Sequence, residues 1–143
     1  MPRKRLFTLL GASVVAILLL LVIVGNVAVA HTNPDVTHTV NWNTPRTEEL
    51  ARRACFDCHS NETNWPWYSF VAPMSFLVAK DVDEGRSNMN FSTGRELEGD
   101  EMVEQIQNGE MPMDIYIPLH PEANLSATEK QELITGLRAT FGA

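Results

Sequence analysis

Cysteine is scarce in this chain, with only two among 143 residues, at Cys55 and Cys58. A disulfide between residues so close would close too small a loop to stabilise much, because that stabilisation grows with loop length. A structural zinc site normally takes four tetrahedral ligands, and the chain has neither further cysteines nor a His-x-x-x-His to complete the set. A thioredoxin-like redox pair would need a βαβ setting, whereas no stretch here alternates like a strand and the residues before Cys55 read as helix. Internal repeats are absent, as are nucleophile–base pairs and paired catalytic carboxylates, so nothing in the sequence indicates an enzyme. Acidic residues are absent before Ala30: all 18 lie after it.

What is present is Cys55-Phe56-Asp57-Cys58-His59. Cys-x-x-Cys-His is the attachment sequence of a c-type haem. Each thiol can add across one haem vinyl group, and the adjoining imidazole then binds the iron as its proximal ligand. One haem c, covalently attached through Cys55 and Cys58 and ligated by His59, is therefore the expected cofactor.

The apolar residues of the amino-terminal part form one run, Leu6 to Ala30, broken only by Thr8, Ser13 and Asn26 and preceded by Arg3, Lys4 and Arg5. As a helix of about 25 residues it would rise roughly 37 Å, enough to cross a hydrocarbon core of about 30 Å. The expected division is a basic cytoplasmic tip at 1–5, a transmembrane anchor at 6–30, a tether at 31–40 and a monohaem domain at 41–143. The basic tip would keep the amino terminus in the cytoplasm and put the haem domain on the periplasmic or extracellular side of the cytoplasmic membrane. The alternative for residues 6–30 is a signal peptide, since Ala28-Val29-Ala30 fits a small-x-small cleavage site, although the run exceeds the usual apolar segment of such peptides. The portion after Ala30 holds eight of the eleven Lys and Arg and all the acids, a formal charge of −10. That excludes a nucleic-acid partner, which needs clustered cations. It suits solubility or steering toward a basic patch on a redox protein.

Along the exported portion, residues 31–40 read as extended linker, with His31 and His38 solvated, and Trp42 marks the start of the folded domain. Thr44 and Pro45, with Glu48 and Glu49 behind them, predict a capped helix running into the haem motif, with Leu50, Ala51 and Ala54 inward. Trp65, Trp67 and Tyr68 cluster around Pro66 and are expected to pack at the haem, which is itself the core of so small a domain. Pro73 predicts a second helix with Met74, Phe76, Leu77, Val78 and Val82 inward and Gly85 as its stop, followed by a loop from Arg86 to Gly99. A third helix spans Asp100 to Asn108, with Met102, Val103 and Ile106 inward, and Gly109 closes it. Ser126 to Glu129 is a capping box opening a last helix that buries Leu133, Ile134, Leu137 and Phe141. The fold class is thus all-α: a small helical domain of about four helices, resembling class I cytochromes c around one haem, preceded by a single transmembrane helix.

The second axial ligand decides what such an iron does. A thioether gives a closed, high-potential centre for single electrons, whereas an exchangeable site admits ligands or peroxide. Met74, Met89, Met102, Met111, Met113 and His120 are the candidates. Met74 and Met102 sit on apolar helical faces, where methionine is usually packing. Met89 lies in a polar loop. Gly-x-Met-Pro after a short helix resembles the distal-methionine loop of small bacterial class I cytochromes c, whose ligand precedes the proline. More broadly, CHSNETxWPWYS, APxS, DVxEGR, NFS, GEMP, a tyrosine five residues beyond that methionine, and LHPxAxLS resemble the bacterial haem-binding domain family of monohaem c-type cytochromes. The resemblance covers Trp42 to about Leu137. It implies that Cys55 and Cys58 carry the haem, that His59 is proximal, and that Met111 is distal, with Met113 as the alternative. Pro112 and Tyr116 are implied to pack beside the haem. The chain departs at Phe76 and Gly94, where larger tryptophans are expected.

These readings converge on a membrane-anchored monohaem cytochrome carrying single electrons between membrane or periplasmic redox partners, or serving as a subunit of a respiratory or photosynthetic complex. The alternatives are a haem peroxidase or ligand sensor with an exchangeable distal site, and a structural haem subunit.

Overall fold

A computed structural model of the chain describes residues 3–142. Met1, Pro2 and Ala143 lie outside the described residues, and with them the first two positions of the expected basic tip. Among the described residues six α-helices follow one another: α1 (Arg3–Val27), α2 (Pro45–Ala54), α3 (Phe56–His59), α4 (Met74–Asn88), α5 (Gly99–Asn108) and α6 (Ala127–Phe141). Short 3-10 turns occupy Trp67–Phe70, Ile117–Leu119 and Pro121–Ala123. Among the described residues there is no strand, only an isolated bridge between Asn90 and Arg95. The described residues fall into two compact units, one holding those up to 32 together with 65–81, the other 33–64 together with those from 82 on.

In the first unit, α1 is long and apolar enough to cross a membrane, with a mean hydropathy of 3.0 over its most apolar stretch. None of that stretch is buried. Water is a poor solvent for so continuous an apolar surface, and a bilayer is a good one. The expected tether begins in this unit. His31 is not a solvated linker residue, because its ring stacks on Phe70 at 4.3 Å, meets the edge of Trp65 at 4.9 Å and donates from Nε2 to the Ser69 carbonyl at 2.5 Å.

The second unit is organised by α2, α5 and α6. Leu50, Ala51, Val103, Ile106, Leu133, Ile134 and Leu137 are buried together, with Phe56 and Phe91 stacked face to face at 5.0 Å among them. Trp42 and Phe141 close this aromatic layer. The helix starts follow local chemistry. Thr44 accepts from Thr47 N at the head of α2, and Ser126 and Glu129 exchange both bonds of a capping box at the head of α6. Gly109 ends α5 in the left-handed conformation, φ 75°. Residues 33–40 are extended but attached: Asn33 Nδ2 donates to Thr63 O, the Asp35 carbonyl accepts from Asn61 Nδ2, and the amides of Thr37 and His38 both donate to Ser92 O. His38 itself is exposed.

Ion pairs join α2 to α6 across the outside of this core. Arg53 donates to Glu129 at 2.7 Å, and Arg46 reaches Glu129, Glu132 and Glu49. Hydrogen bonding from Arg53, then from the Ser126 backbone, holds the Glu129 carboxyl down from its ordinary value near 4.5 to about 2. A carboxyl depressed on folding stabilises the fold above its unfolded pKa, and that stabilisation disappears as pH falls through the folded value. The thermal midpoint should therefore fall as pH drops from about 4.5 to about 2. In Arg53→Gln the fall should be smaller, because the midpoint is already lowered at neutral pH. A calorimetric pH series checks both, and an unchanged acid limb would contradict this assignment.

Candidate functional site

Helix α2 ends at Ala54 and α3 starts at Phe56, with the break at Cys55, φ −127°. The expected single helix into the motif is thus two helices hinged at the first cysteine. His59 N still bonds back to Cys55 O at 2.9 Å, so Cys55, Cys58 and His59, at i, i+3 and i+4, share one face of the turn. Phe56 leaves by another face into the core, only 5% exposed, with Arg52 over its ring at 4.4 Å. The core thereby grips the motif from behind and leaves its three chemical groups half-buried.

No disulfide joins the two thiols. Burial, with Cys58 adding to it, pushes the Cys55 thiol up to about 12, so it rests protonated.

The His59 ring is oriented by backbone. Nδ1 lies 3.3 Å from the Met89 carbonyl, and the Gly85 carbonyl also acts on the ring. Carbonyl oxygens can only accept, so Nδ1 carries the proton and Nε2 keeps its lone pair. Burial lowers the His59 pKa, against the two carbonyls that raise it. A neutral imidazole with one nitrogen committed to a carbonyl is the form that binds a metal.

Two segments hold those carbonyls in place. Helix α4 does not stop at Gly85 but runs on to Asn88, so the expected loop begins later than Arg86. Gly85 is a contact residue: a Cβ there would lie 2.5 Å from Cys58 O and 2.9 Å from its carbon, so only glycine lets α4 approach the motif backbone. The next residue, Arg86, donates to Ser60 O, Thr63 Oγ1 and Asn33 Oδ1. The second segment is Met89 to Ser92. Phe91 N donates to His59 O, Asn90 Nδ2 to Asn61 Oδ1, and the Ser92 hydroxyl accepts from Asn61 N. Ser60, Asn61 and Thr63, polar yet buried, are this network's other half. Thr63 Oγ1 donates to Asp57 O, and Ser60 Oγ to Phe56 O.

On another side, the loop after α5 is tied to the motif. Tyr116 donates its hydroxyl to Asp57 Oδ2 at 2.6 Å, while Asp57 Oδ1 accepts from Asn64 N. Burial, then this bond, raises the Tyr116 pKa. Its ring stacks on the buried His120 at 3.8 Å and 9°, and His120 Nδ1 pairs with Glu122 at 3.0 Å. The loop hangs from α5 through Glu110 N and Met111 N, both bonded to Gln105 O. Pro112 is buried, and Met111 and Met113 on either side of it are half-buried.

Of the candidate iron ligands, Met89 and Met102 pack with the core around Phe91. Met89 serves the site through its carbonyl. Met74 is half-buried in the first unit, where Trp65, Trp67 and Tyr68 also lie. Phe76, expected inward, is 46% exposed. The carbonyls of Gly85 and Met89, the Arg86 fork and the Asp57–Tyr116 bond carry no local sequence signal, because each joins segments far apart in the chain.

A haem fits these residues: two thiols on one face beside a neutral imidazole whose outer nitrogen is fixed, and a helix brought close by a missing Cβ. A sequence model of a family described as "Haem-binding domain" matches residues 16–139. No match was found among curated proteins or among solved structures.

Proposed function

The chain belongs to the haem-binding domain family, and from that premise we propose that it is a membrane-anchored c-type cytochrome that carries single electrons. The observation supporting this is the His59 ring, with Nδ1 donating to the Met89 carbonyl and Nε2 left to ligate iron. Cys55 and Cys58 would hold the haem covalently: each S–H adds across a vinyl group, the sulfur bonding to one carbon and the hydrogen going to the other, with no leaving group. Bound haem supplies an iron that exchanges one electron between ferric and ferrous forms. The chain's part is to orient the imidazole, to exclude water with the buried Ser60–Asn61–Asn90–Ser92 network, and to close the distal side.

Met111 is the proposed distal ligand. Its loop is fastened to the haem motif by the Tyr116–Asp57 bond and to α5 through Gln105 O. With α1 in the cytoplasmic membrane and Arg3, Lys4 and Arg5 inside, the haem unit works on the periplasmic or extracellular side. There it exchanges electrons with redox proteins or within a membrane complex. Its −10 charge favours a basic docking patch on the partner.

Spectra of the oxidised protein test the assignment. The wild type should show the weak near-infrared methionine–iron band, and Met111→Ala should lose it and lower the potential. Loss in Met113→Ala instead would move the ligand, and a high-spin wild-type spectrum that shifts with carbon monoxide would overturn electron transfer in favour of ligand chemistry.

A further inference from the structure

Trp67 is 80% exposed and Phe76 46% exposed, and no charged residue occurs between Glu62 and Lys80. Scattered apolar side chains on a surface need no explanation, but a large uncharged aromatic stretch does. Its place in the fold supplies one, because residues 65–81 form one compact unit with α1. Ala72 N donates to Leu21 O at 3.1 Å, and Asn26 Nδ2 donates to Phe70 O at 3.0 Å. Gly25 makes the approach possible: a Cβ there would lie 2.6 Å from Phe70 O. His31 clasps the same turn through Ser69 O and the Phe70 ring.

The register of these bonds sets a depth. Leu21 is six residues before the end of α1, about 9 Å along the axis. If the apolar run from Leu6 fills a hydrocarbon core of about 30 Å, Leu21 lies about 22 Å along it and Asn26 at its outer boundary. The Phe70 backbone pinned by Asn26 is then level with the lipid glycerol region, and Ala72, bonded to Leu21, lies about 8 Å below it. Tryptophan and other amphipathic aromatics favour that layer, with the ring among acyl chains and the indole N–H toward water.

We propose that Trp65–Ala79 is a second membrane contact, a non-spanning element that lies in the outer lipid interface with Trp67 and Phe76 facing lipid. The inference rests on α1 being retained as the anchor.

Full-length, haem-loaded protein in phosphatidylcholine vesicles containing a phospholipid photoreactive near its glycerol backbone provides the test. Peptide mapping should find adducts on 65–79 as well as on α1, and essentially none on the exposed face of α6. Adducts on α1 with none on 65–79 would overturn the inference and leave the anchor standing. Absence from α1 would instead count against the anchor, with residues 65–79 judged on their own adducts. A second measurement uses Trp67→Cys and Ala127→Cys, both at exposed positions. In vesicles a membrane-impermeant maleimide should alkylate Trp67→Cys about tenfold more slowly, because a thiol in lipid does not ionise. Equal rates would overturn the inference, as would slow alkylation without lipid adducts, which would mean that a protein covers this face.

Discussion

With Cys55 and Cys58 both replaced by serine, the protein is expected to carry no haem that survives denaturation. Haem staining after denaturing electrophoresis should fall from full signal to background. The hydroxyls are close in size to the thiols, so the α2–α3 hinge should persist, but a serine forms no thioether. Replacing one cysteine should leave a single linkage and a weaker stain. His59→Ala keeps both thiols but removes the nitrogen that Met89 and Gly85 orient, so any haem retained should lose its proximal ligation and its low-spin spectrum. A denaturation-stable stain in the double variant would show that the haem is attached elsewhere or not through these sulfurs.

The second large effect is expected far from any ligand in sequence. Gly85→Val places a branched side chain where a single Cβ already falls 2.5 Å from Cys58 O. The atoms it meets are the Cys58 backbone and Cβ, which cannot swing aside as a side-chain tip would, so α4 must move away and take the Gly85 and Met89 carbonyls with it. Overpacking of this kind costs about 1–3 kcal/mol, and loss of the Arg86 bonds would add to it. At the marginal stability of a small domain that should remove most haem-loaded protein from the cell. Gly11→Ala is the control, because nothing lies within 4 Å of a Cβ there. Equal yields and equal thermal midpoints for the two variants would show that the close approach is unimportant.

These two sites also mark how far the sequence could be read. The CFDCH motif is local chemistry, so the proposed haem attachment rests on five adjacent residues. The helix starts at Thr44 and Ser126 and the stop at Gly109 were equally legible, because capping depends on a side chain and amides within one turn. Gly85 was misread as a stop by the same local logic, since a glycine required by a neighbour 27 positions away looks like one required by a turn. Met89 stood out for its sulfur, whereas its carbonyl, which every residue possesses, is what acts. His31 looked like linker because its partners, Ser69 and Phe70, are almost forty residues on. Phe76 fitted an apolar helical face, yet it is exposed, which the proposed lipid contact would account for.

The measurement closest to the central claim is the intact mass of the mature protein, purified under denaturing conditions from a prokaryotic host that matures c-type haem. A mass equal to the polypeptide plus one haem, lost in the double serine variant, is the predicted result, and the same spectrum reports whether residues 1–30 are retained. The mass of the bare polypeptide, or of that polypeptide less two hydrogens for a Cys55–Cys58 disulfide, would contradict the account.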